Sequence, residues 1–334
     1  MEMTQRQKEC PAQADTVYIG GGTPSQLSAQ QLHQLFRHLG NTYDISAQAE
    51  ITMECNPDDI TEAFAATLSA LPVNRVSMGV QTFDDHRLRF LRRRHTAAQI
   101  PIAVERLREA GIRNISVDLM FAFPNETIAD WHHDIEAAVA LDVEHLSAYS
   151  LMYEEGTVLH TLLEQGQVGE ADEEVARQMF SDLMDRLADA GYEHYEISNF
   201  AKHTFRSRHN SSYWQGVPYL GLGAAAHSYD GRHRRWNIDD VEQYIEGIEN
   251  GCPVVGAETL DDDTRYNEQI MTALRTFEGL ALDRLQESYR DYCLSQARPF
   301  IDDRLLTLQA GRLRLSRRGI FVSNMIMSSL MMTD

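Results

Sequence analysis

Along the first two thirds of the chain, the order of apolar and polar residues predicts strands separated by helices. Buried strands are predicted at residues 16–19, 50–55, 75–81, 114–121, 145–151 and 194–198. After the first strand, Ser28 and Gln31 predict a capping box for an amphipathic helix, and Gly40 is predicted to end it. Strands that alternate with helices predict an α/β protein with a parallel sheet.

The following segments repeat the same helix signals. Thr61 is predicted to cap one helix, and Thr127 and Asp130 to open another. Gly111 and Gly191 each follow a helical pattern and precede a strand. Repeated units of this kind favour a βα barrel or a partial barrel over a flat sandwich.

The pattern changes near residue 238. Helices at about 239–250 and 264–276 are predicted there, followed by a short hairpin and a helix within 305–326. The predicted domains are a disordered leader at 1–15, a parallel βα barrel at 16–237 and a small, mainly helical C-terminal domain at 238–334.

Composition narrows the classes of function. The 334 residues carry a net charge of −20, which argues against a general affinity for nucleic acid or anionic lipid. The sequence contains neither an apolar run long enough for a transmembrane helix nor a secretory signal. Its cysteines, Cys10, Cys55, Cys252 and Cys293, are too scattered for a disulfide framework, and we expect a cytoplasmic protein.

Polar residues at the predicted strand ends suggest a ligand site, because ligands of parallel βα barrels bind there. The first strand ends in the glycine-rich stretch 20–24, and later strands end near Glu54, Gln81 and Asp118. The carboxylates suit ribose hydroxyls, and Arg93 can bind a carboxylate through two parallel hydrogen bonds. Alternatively, the glycine-rich turn is a plain strand exit and the arginines at 92–94 form a solvated face.

A second candidate site lies at residues 202–214, where basic and imidazole groups precede Tyr213 and Trp214. Cationic groups beside aromatic rings suit a flat aromatic ligand with carboxylates, such as a porphyrin, and His209 can ligate heme iron. The alternative is a surface loop that packs two aromatic side chains. His227 either lines the same cavity or is a core histidine.

Several short motifs occur in the order and spacing of one known family. They are YIGGGTPS at 18–25, MECNP at 53–57, MGVQTF at 78–83 and VDLMF at 117–121. With these motifs the chain resembles the oxygen-independent coproporphyrinogen oxidase-like radical S-adenosylmethionine (SAM) proteins. The resemblance extends from about residue 16 to the C-terminus. It implies an incomplete parallel βα barrel of the radical SAM type, whose first strand is missing.

The resemblance implies roles for the residues at the strand ends. Gly21, Gly22 and Thr23 would contact the methionyl part of SAM. The remaining contacts to SAM would come from Glu54, Gln81, Arg93 and Asp118. Arg93 is preferred to its two arginine neighbours because it stands twelve residues after Gln81, as in the family.

The resemblance also assigns the second site. The segment His209-Asn210-x-x-Tyr213-Trp214 matches a motif that distinguishes heme chaperones of this family from its coproporphyrinogen dehydrogenases. His209, Asn210, Tyr213 and Trp214 would therefore contact heme.

One family feature is missing from the sequence. A radical SAM protein holds a [4Fe–4S] cluster with three thiolates in a C-x3-C-x2-C loop, and this chain has no such loop. We expect Cys55 to be a small buried residue, and we predict no metal site. Either the reading frame begins late or the cluster has been lost. We favour a truncated start, because the residues assigned to SAM are intact.

Two functions remain open from the sequence. The first is a heme chaperone that binds heme or a porphyrin and passes it to acceptor proteins. The alternative is an oxygen-independent coproporphyrinogen III oxidase, a radical enzyme of porphyrin biosynthesis. A cluster is expected for the family but cannot be supported by these cysteines, so whether the chain is an enzyme stays open.

Overall fold

The structure, a computed structural model, describes residues 1–10, 12–253 and 255–333. The chain divides into two compact units. The sheet unit comprises Thr16–Phe36 and Glu50–Ser207, and the terminal unit comprises Met1–Asp15, Arg37–Ala49 and Arg208–Asp334. This division differs from the predicted domains, because residues 208–237 group with the C-terminal segment rather than with the barrel.

The sheet unit contains a seven-stranded sheet with the strand order β1-β2-β3-β4-β5-β7-β6. Its strands are β1 (Ala14–Ile19), β2 (Ile45–Cys55), β3 (Arg75–Gln81), β4 (Asn114–Phe121), β5 (His145–Ser150), β6 (Glu193–Glu196) and β7 (Asn199–Ala201). Strands β2 to β5 are parallel neighbours, as predicted for βα units.

Helices follow most strands of the described chain. They are α1 (Glu2–Gln5), α2 (Ala29–Thr42), α3 (Glu62–Ser69), α4 (Asp85–Phe90), α5 (Gln99–Glu109), α6 (Ile128–Ala140), α7 (Val158–Glu164), α8 (Glu173–Asp189), α9 (Arg208–Trp214), α10 (Val241–Glu249), α11 (Asp262–Ala273), α12 (Glu287–Asp302), α13 (Arg317–Ile320) and α14 (Ser323–Leu330). No described helix is long and apolar enough to span a membrane.

The two faces of the sheet have opposite character. Buried Val76 and Met78 alternate with Arg75 and Ser77 along β3, as the two-residue period of a strand requires. Helices cover the apolar face, where the ring of Phe121 on β4 packs 5.2 Å from the ring of Trp131 on α6. Polar side chains are therefore collected on the other face.

A buried hydrogen-bonded row crosses this polar face. Ser116 on β4 pairs in register with His145 on β5, and Ser116 Oγ lies 2.7 Å from His145 Nδ1. His145 Nε2 lies 2.7 Å from the hydroxyl of Tyr195. Burial lowers the pKa of His145 well below its usual value, so the imidazole is neutral and each ring nitrogen has a partner.

The far edge of the sheet departs from the predicted pattern. A sixth parallel strand was expected at 194–198, but the chain forms a hairpin of β6 and β7 there. Strand β7 pairs antiparallel with β5 and separates it from β6. The reason is that the chain reverses after Glu196, which leaves Ile197 and Ser198 in the turn.

Local signals located the starts of α2 and α6, but the end of α2 was misplaced and helices α7 and α12 were not predicted. The predicted capping boxes are present: Gln31 N donates to Ser28 Oγ at 3.3 Å, and Thr127 and Asp130 bond reciprocally. Gly40 does not end its helix, because α2 continues to Thr42. An added Cβ at Gly40 would meet no atom within 4 Å, so nothing in its surroundings requires the glycine.

The predicted disordered leader is wrong for the described residues at the N-terminus. Glu2–Gln5 form a helical turn, and Glu2 is buried within the terminal unit. The Glu2 carboxylate accepts hydrogen bonds from Gly223 N at 2.9 Å, Asn237 Nδ2 at 2.7 Å and the Tyr244 hydroxyl at 2.6 Å. These partners lie more than 200 positions away in sequence, so no local pattern could reveal them.

Two small antiparallel sheets complete the terminal unit. One has the order β10-β9-β8, with β8 (His227–Tyr229), β9 (His233–Asn237) and β10 (Val255–Thr259). The other has the order β11-β13-β12, with β11 (Leu280–Ala281), β12 (Leu306–Gln309) and β13 (Arg312–Leu315). A core that includes Ile270, Leu313 and Ile326 joins the second sheet to its helices, in the segment predicted to be mainly helical.

Candidate functional site

A cavity of about 220 Å³ opens at the carboxyl ends of the parallel strands. Its lining is Gly22, Thr23, Pro24, Glu54, Cys55, Asn56, Ser77, Gly79, Gln81, Arg93 and Asp118. We call this cavity the strand-end pocket. Six of the seven residues predicted to bind a cofactor line it, and the seventh, Gly21, hydrogen-bonds to one of them.

Glu54 fixes the glycine-rich side of the strand-end pocket. Its Oε1 accepts from the hydroxyl of Tyr18 at 2.6 Å, and its Oε2 accepts from Gly21 N at 3.2 Å. A Cβ added to Gly20 would lie 2.6 Å from Glu54 Cδ. Glycine is therefore required at position 20 because the carboxylate occupies the space of a side chain.

Of the three neighbouring arginines, Arg93 is the one that lines the pocket. Arg92 adopts the left-handed conformation with φ of 55°, and Arg93 N then bonds to Leu88 O at 2.9 Å, which closes helix α4. The Arg93 guanidinium donates to Asn56 Oδ1 at 3.1 Å, and burial lowers its pKa. Arg94 is exposed and pairs with Asp58 and Asp59.

Gln81 enters the pocket through an irregular strand end. Its φ is 71°, and the register between β3 and β4 shifts between Gly79 and Gln81. A Cβ at Gly79 would lie 3.0 Å from Gln81 Nε2. The bulge therefore aims the amide of Gln81 across the space left by the glycine.

Asp118 is the most perturbed carboxylate of the pocket. Desolvation by burial raises its pKa to about 6, and the charge of Glu54 acts in the same direction. Hydrogen bonds from Ser147 and Ser77 and the charge of Arg75 oppose this shift. Perturbed carboxylates are typical of functional sites, and Asp118 changes its charge near neutral pH.

The carboxylate of Asp59 links the loops beside the strand-end pocket. Asp59 accepts from Ser25 Oγ at 2.6 Å, from the side chain of Gln26 and from Arg94 at 2.8 Å. It thereby connects the turn after the glycines with the turn after β2. The sequence contained no local sign of this role, because the donors come from two distant segments, the turn with Ser25 and Gln26 and the segment with Arg94.

The sequence analysis missed Asn56, Ser77 and Gly79 as lining residues. A signal for two of them was available, since Ser77 and Gly79 share the strand face of Gln81 by the two-residue alternation of β3. Asn56 directly follows β2. Its amide could have been recognised only from its contact with Arg93.

The cysteines do not provide the ligands of a [4Fe–4S] cluster. Cys55 and Cys293 are buried, Cys252 is exposed, and no group of three metal-ligating side chains is found among the described residues. Burial raises the pKa of the Cys10 and Cys55 thiols, whereas a cluster requires thiolates.

The second predicted site lies on helix α9, in the terminal unit. His209 Nε2 is 3.2 Å from the hydroxyl of Tyr213, and their ring centroids are 4.9 Å apart. Tyr213 in turn packs edge-on against Tyr219, with centroids at 4.7 Å, and Tyr219 lies 6.2 Å from Tyr229. Tyr213 remains 39% exposed, so this aromatic row reaches the surface.

The other residues of the motif lie on the same helical turn. Asn210 is part of α9, and Trp214 is its last residue. The indole of Trp214 lies under the guanidinium of Arg275, and its Nε1 is buried without a hydrogen-bond acceptor among the described residues. His227 is exposed and stacks on Trp236, with centroids at 6.0 Å, so it is not a core histidine.

Comparison with protein families and known proteins gives a consistent result. Residues 2–138 match the radical SAM superfamily, and residues 260–322 match the HemN C-terminal domain. The chain is 33% identical over 323 residues to the heme chaperone HemW of Lactococcus lactis, covering 96% of this chain and 85% of that protein. It is 38% identical over 276 residues to HemW of Bacillus subtilis, covering 82% and 73%.

Among solved structures, the fold is similar to that of Escherichia coli coproporphyrinogen III oxidase, HemN. The TM-score is 0.82 at 19% sequence identity, and the match covers 98% of this chain and 81% of that one. At this identity the likeness concerns the fold alone. It supports a curled, mostly parallel half-barrel with a C-terminal domain.

Proposed function

We propose that this chain, which belongs to the HemN/HemW-like family of radical SAM proteins, is a heme chaperone that binds heme and transfers it to acceptor proteins in the cytoplasm. The HemW relatives match nearly the whole chain at 31–38% identity. The oxidase supports only the fold. The chaperone is therefore favoured over the oxidase.

The observation that carries the proposal is the arrangement of helix α9. His209 supplies an imidazole that can ligate iron, and the exposed ring of Tyr213 stands one helical turn away, 4.9 Å from it. The aromatic row through Tyr219 offers further apolar ring contacts beside this ligand. An axial nitrogen together with aromatic contacts to the ring is one common way to hold a heme.

SAM is the proposed occupant of the strand-end pocket. Gly22 and Thr23 would hold its methionyl part, and Glu54, Gln81, Arg93 and Asp118 the remainder. The space kept open by Gly20 and Gly79 supports close approach of a ligand to the main chain. In radical SAM proteins, SAM bound to a cluster is a source of a carbon radical.

The described cysteines do not fit that cluster, so we derive no radical step for this chain. Its own residues bind and orient the cofactor: Asn56 holds the Arg93 guanidinium, and Tyr18 with Gly21 holds the Glu54 carboxylate. In this proposal, binding of SAM has a structural role, and heme is the cargo.

Hemin titration of the wild type and of His209→Ala tests the proposal. We expect a Soret shift in the wild type and at least a tenfold weaker affinity in His209→Ala, because an axial iron–nitrogen bond is lost, worth about 1.4 kcal/mol or more. The matched control is His203→Ala, which removes an exposed imidazole that pairs with Glu193.

The two variants separate specific from general effects. His203→Ala should bind hemin as the wild type does. Equal affinity of the wild type and His209→Ala would remove His209 from the heme site. A wild type that does not bind hemin would contradict the proposed function itself.

A further inference from the structure

We propose that Arg275 binds a carboxylate of the ligand carried by helix α9, and that it selects macrocycles with free carboxylates. This inference rests on the proposed function and deepens it. The sequence motif did not include Arg275, which follows helix α11 and lies 61 positions beyond Trp214.

Within the described part of the chain, the Arg275 guanidinium interacts with an aromatic ring and with no charged group. Its guanidinium carbon lies 5.8 Å from the ring centroid of Trp214, at the end of helix α9. No hydrogen bond or ion pair of Arg275 is present among the described residues. Stacking orients a guanidinium over a ring face while its N–H groups stay free to donate in the plane.

The other partly buried arginines of the terminal unit are all neutralised or hydrogen-bonded within its described part. Arg234 pairs with Glu268 at 2.7 Å, and Arg6 pairs with Glu2 at 3.1 Å. Arg314 donates to Glu278 O at 3.1 Å. In a chain with 50 acidic and 30 basic residues, a partly buried guanidinium that has neither a carboxylate nor a carbonyl acceptor among the described residues is an exception, and an anionic ligand would explain it.

A second missing partner lies in the same contact. The Nε1 of Trp214 is buried and has no acceptor among the described residues. Buried donors are almost always paired with an acceptor, because an unpaired one costs free energy. Trp214 and Arg275 form one cation–π contact, and both carry donors that lack an acceptor among the described residues.

The chemistry of these donors indicates a carboxylate rather than a metal or a neutral group. A guanidinium presents parallel N–H groups that match the two oxygens of a carboxylate, and an indole Nε1–H only donates. The imidazole of His209 lies on the same helix as Trp214, so His209 and Arg275 would contact different parts of one ligand. His209 would serve the metal and Arg275 the periphery.

Titration with protoporphyrin IX and its dimethyl ester tests the inference without iron. The free acid keeps both carboxylates, the ester has none, and neither offers a metal to His209. We expect the wild type to bind the acid at least about tenfold more tightly than the ester, as a charge-assisted pair provides. Arg275→Gln should bring the two affinities to within about twofold and leave the affinity for the ester unchanged.

Two further variants make the result specific. Arg265→Gln removes an exposed arginine of helix α11 that pairs with Asp262, and it should retain the wild-type preference. Arg275→Lys keeps the charge without the planar pair of donors, and it should give an intermediate preference. Should Arg275→Gln perturb the fold, the graded result of Arg275→Lys still decides.

The outcomes distinguish this inference from the proposed function. A preference for the acid that survives in both Arg275 variants would overturn the role of Arg275. If the His209→Ala variant then still lost hemin affinity, the chaperone proposal would stand without it. A wild type that binds neither porphyrin nor hemin would overturn both.

Discussion

The polar groups of the strand-end pocket are held by protein partners, whereas two donors of the α9 region are not, within the described part of the chain. In the pocket, Glu54 is held by Tyr18 and Gly21, and Arg93 by Asn56. Around α9, Trp214 Nε1 and Arg275 lack such partners among the described residues. The first region is organised before any ligand arrives, whereas the second leaves donors that a ligand must satisfy.

This difference predicts different costs of binding. A pre-organised pocket loses little conformational freedom when its ligand binds. Substitutions that disturb its preformed arrangement should therefore lower ligand affinity strongly. In the α9 region, affinity should depend on the groups that the ligand itself brings.

The largest effect is expected from Gly20→Ala. The new Cβ would lie 2.6 Å from Glu54 Cδ, so the carboxylate must leave its position. We expect SAM affinity to fall about 100-fold and the free energy of unfolding to fall by about 1–3 kcal/mol, as for an overpacked site. Equilibrium dialysis with labelled SAM and denaturant unfolding measure the two effects.

Gly40→Ala is the matched control for this change. A Cβ at Gly40 meets no atom within 4 Å, and the residue lies inside helix α2. It should leave SAM binding unchanged and raise stability by about 0.5–1 kcal/mol. Normal SAM binding by Gly20→Ala would show that Glu54 is not part of the site.

A smaller loss is expected from Arg93→Gln, compared with Arg92→Gln. Arg93 lines the pocket, whereas Arg92 is exposed at the helix end. Loss of a charge-assisted contact should weaken SAM binding about 30-fold in Arg93→Gln, and the Arg92 variant should stay near the wild type. Similar losses in both variants would instead indicate a diffuse effect of positive charge.

The pH dependence of the pocket should follow Asp118, whose pKa burial raises to about 6. Its ionised form accepts hydrogen bonds, so SAM affinity should rise about tenfold from pH 5 to pH 7. The stability of the free protein should change in the opposite direction. The folded state binds the proton more tightly than the unfolded state, so up to about 3 kcal/mol is lost as the pH rises from about 4 to about 6.

Asp118→Asn checks both halves of this prediction. It should remove the pH dependence of SAM affinity, measured by dialysis at several pH values. It should also flatten the stability profile between pH 4 and pH 6. A profile that the substitution leaves unchanged would assign the titration to another group.

More of the strand-end pocket than of the α9 region could be predicted from the sequence, for a physical reason. In a parallel sheet the strand ends meet at one edge, so Glu54, Gln81 and Asp118 could be grouped from strand positions alone. Arg93 followed from the family's spacing. Asn56 and Asp59 could not be found in this way, because their roles consist of contacts between loops.

The terminal unit shows the limit of local patterns more clearly. Helix α9 was marked by its motif, but the stack of Arg275 on Trp214 joins residues 61 positions apart. The buried carboxylate of Glu2 bonds to Gly223, Asn237 and Tyr244. Because these partners are distant in sequence, the leader was predicted to be disordered. Long-range polar contacts of this kind leave no periodicity in the sequence.

In our proposal one chain holds two sites, the strand-end pocket for SAM and helix α9 for heme. Titration of hemin into the protein with and without saturating SAM, in the wild type, Arg93→Gln and His209→Ala, tests whether the two sites are independent. We predict that SAM changes hemin affinity by less than about twofold, a coupling below the usual allosteric range. Arg93→Gln should lose SAM but keep hemin, and His209→Ala should do the reverse. Displacement of hemin by SAM, or loss of hemin binding in Arg93→Gln, would contradict the account.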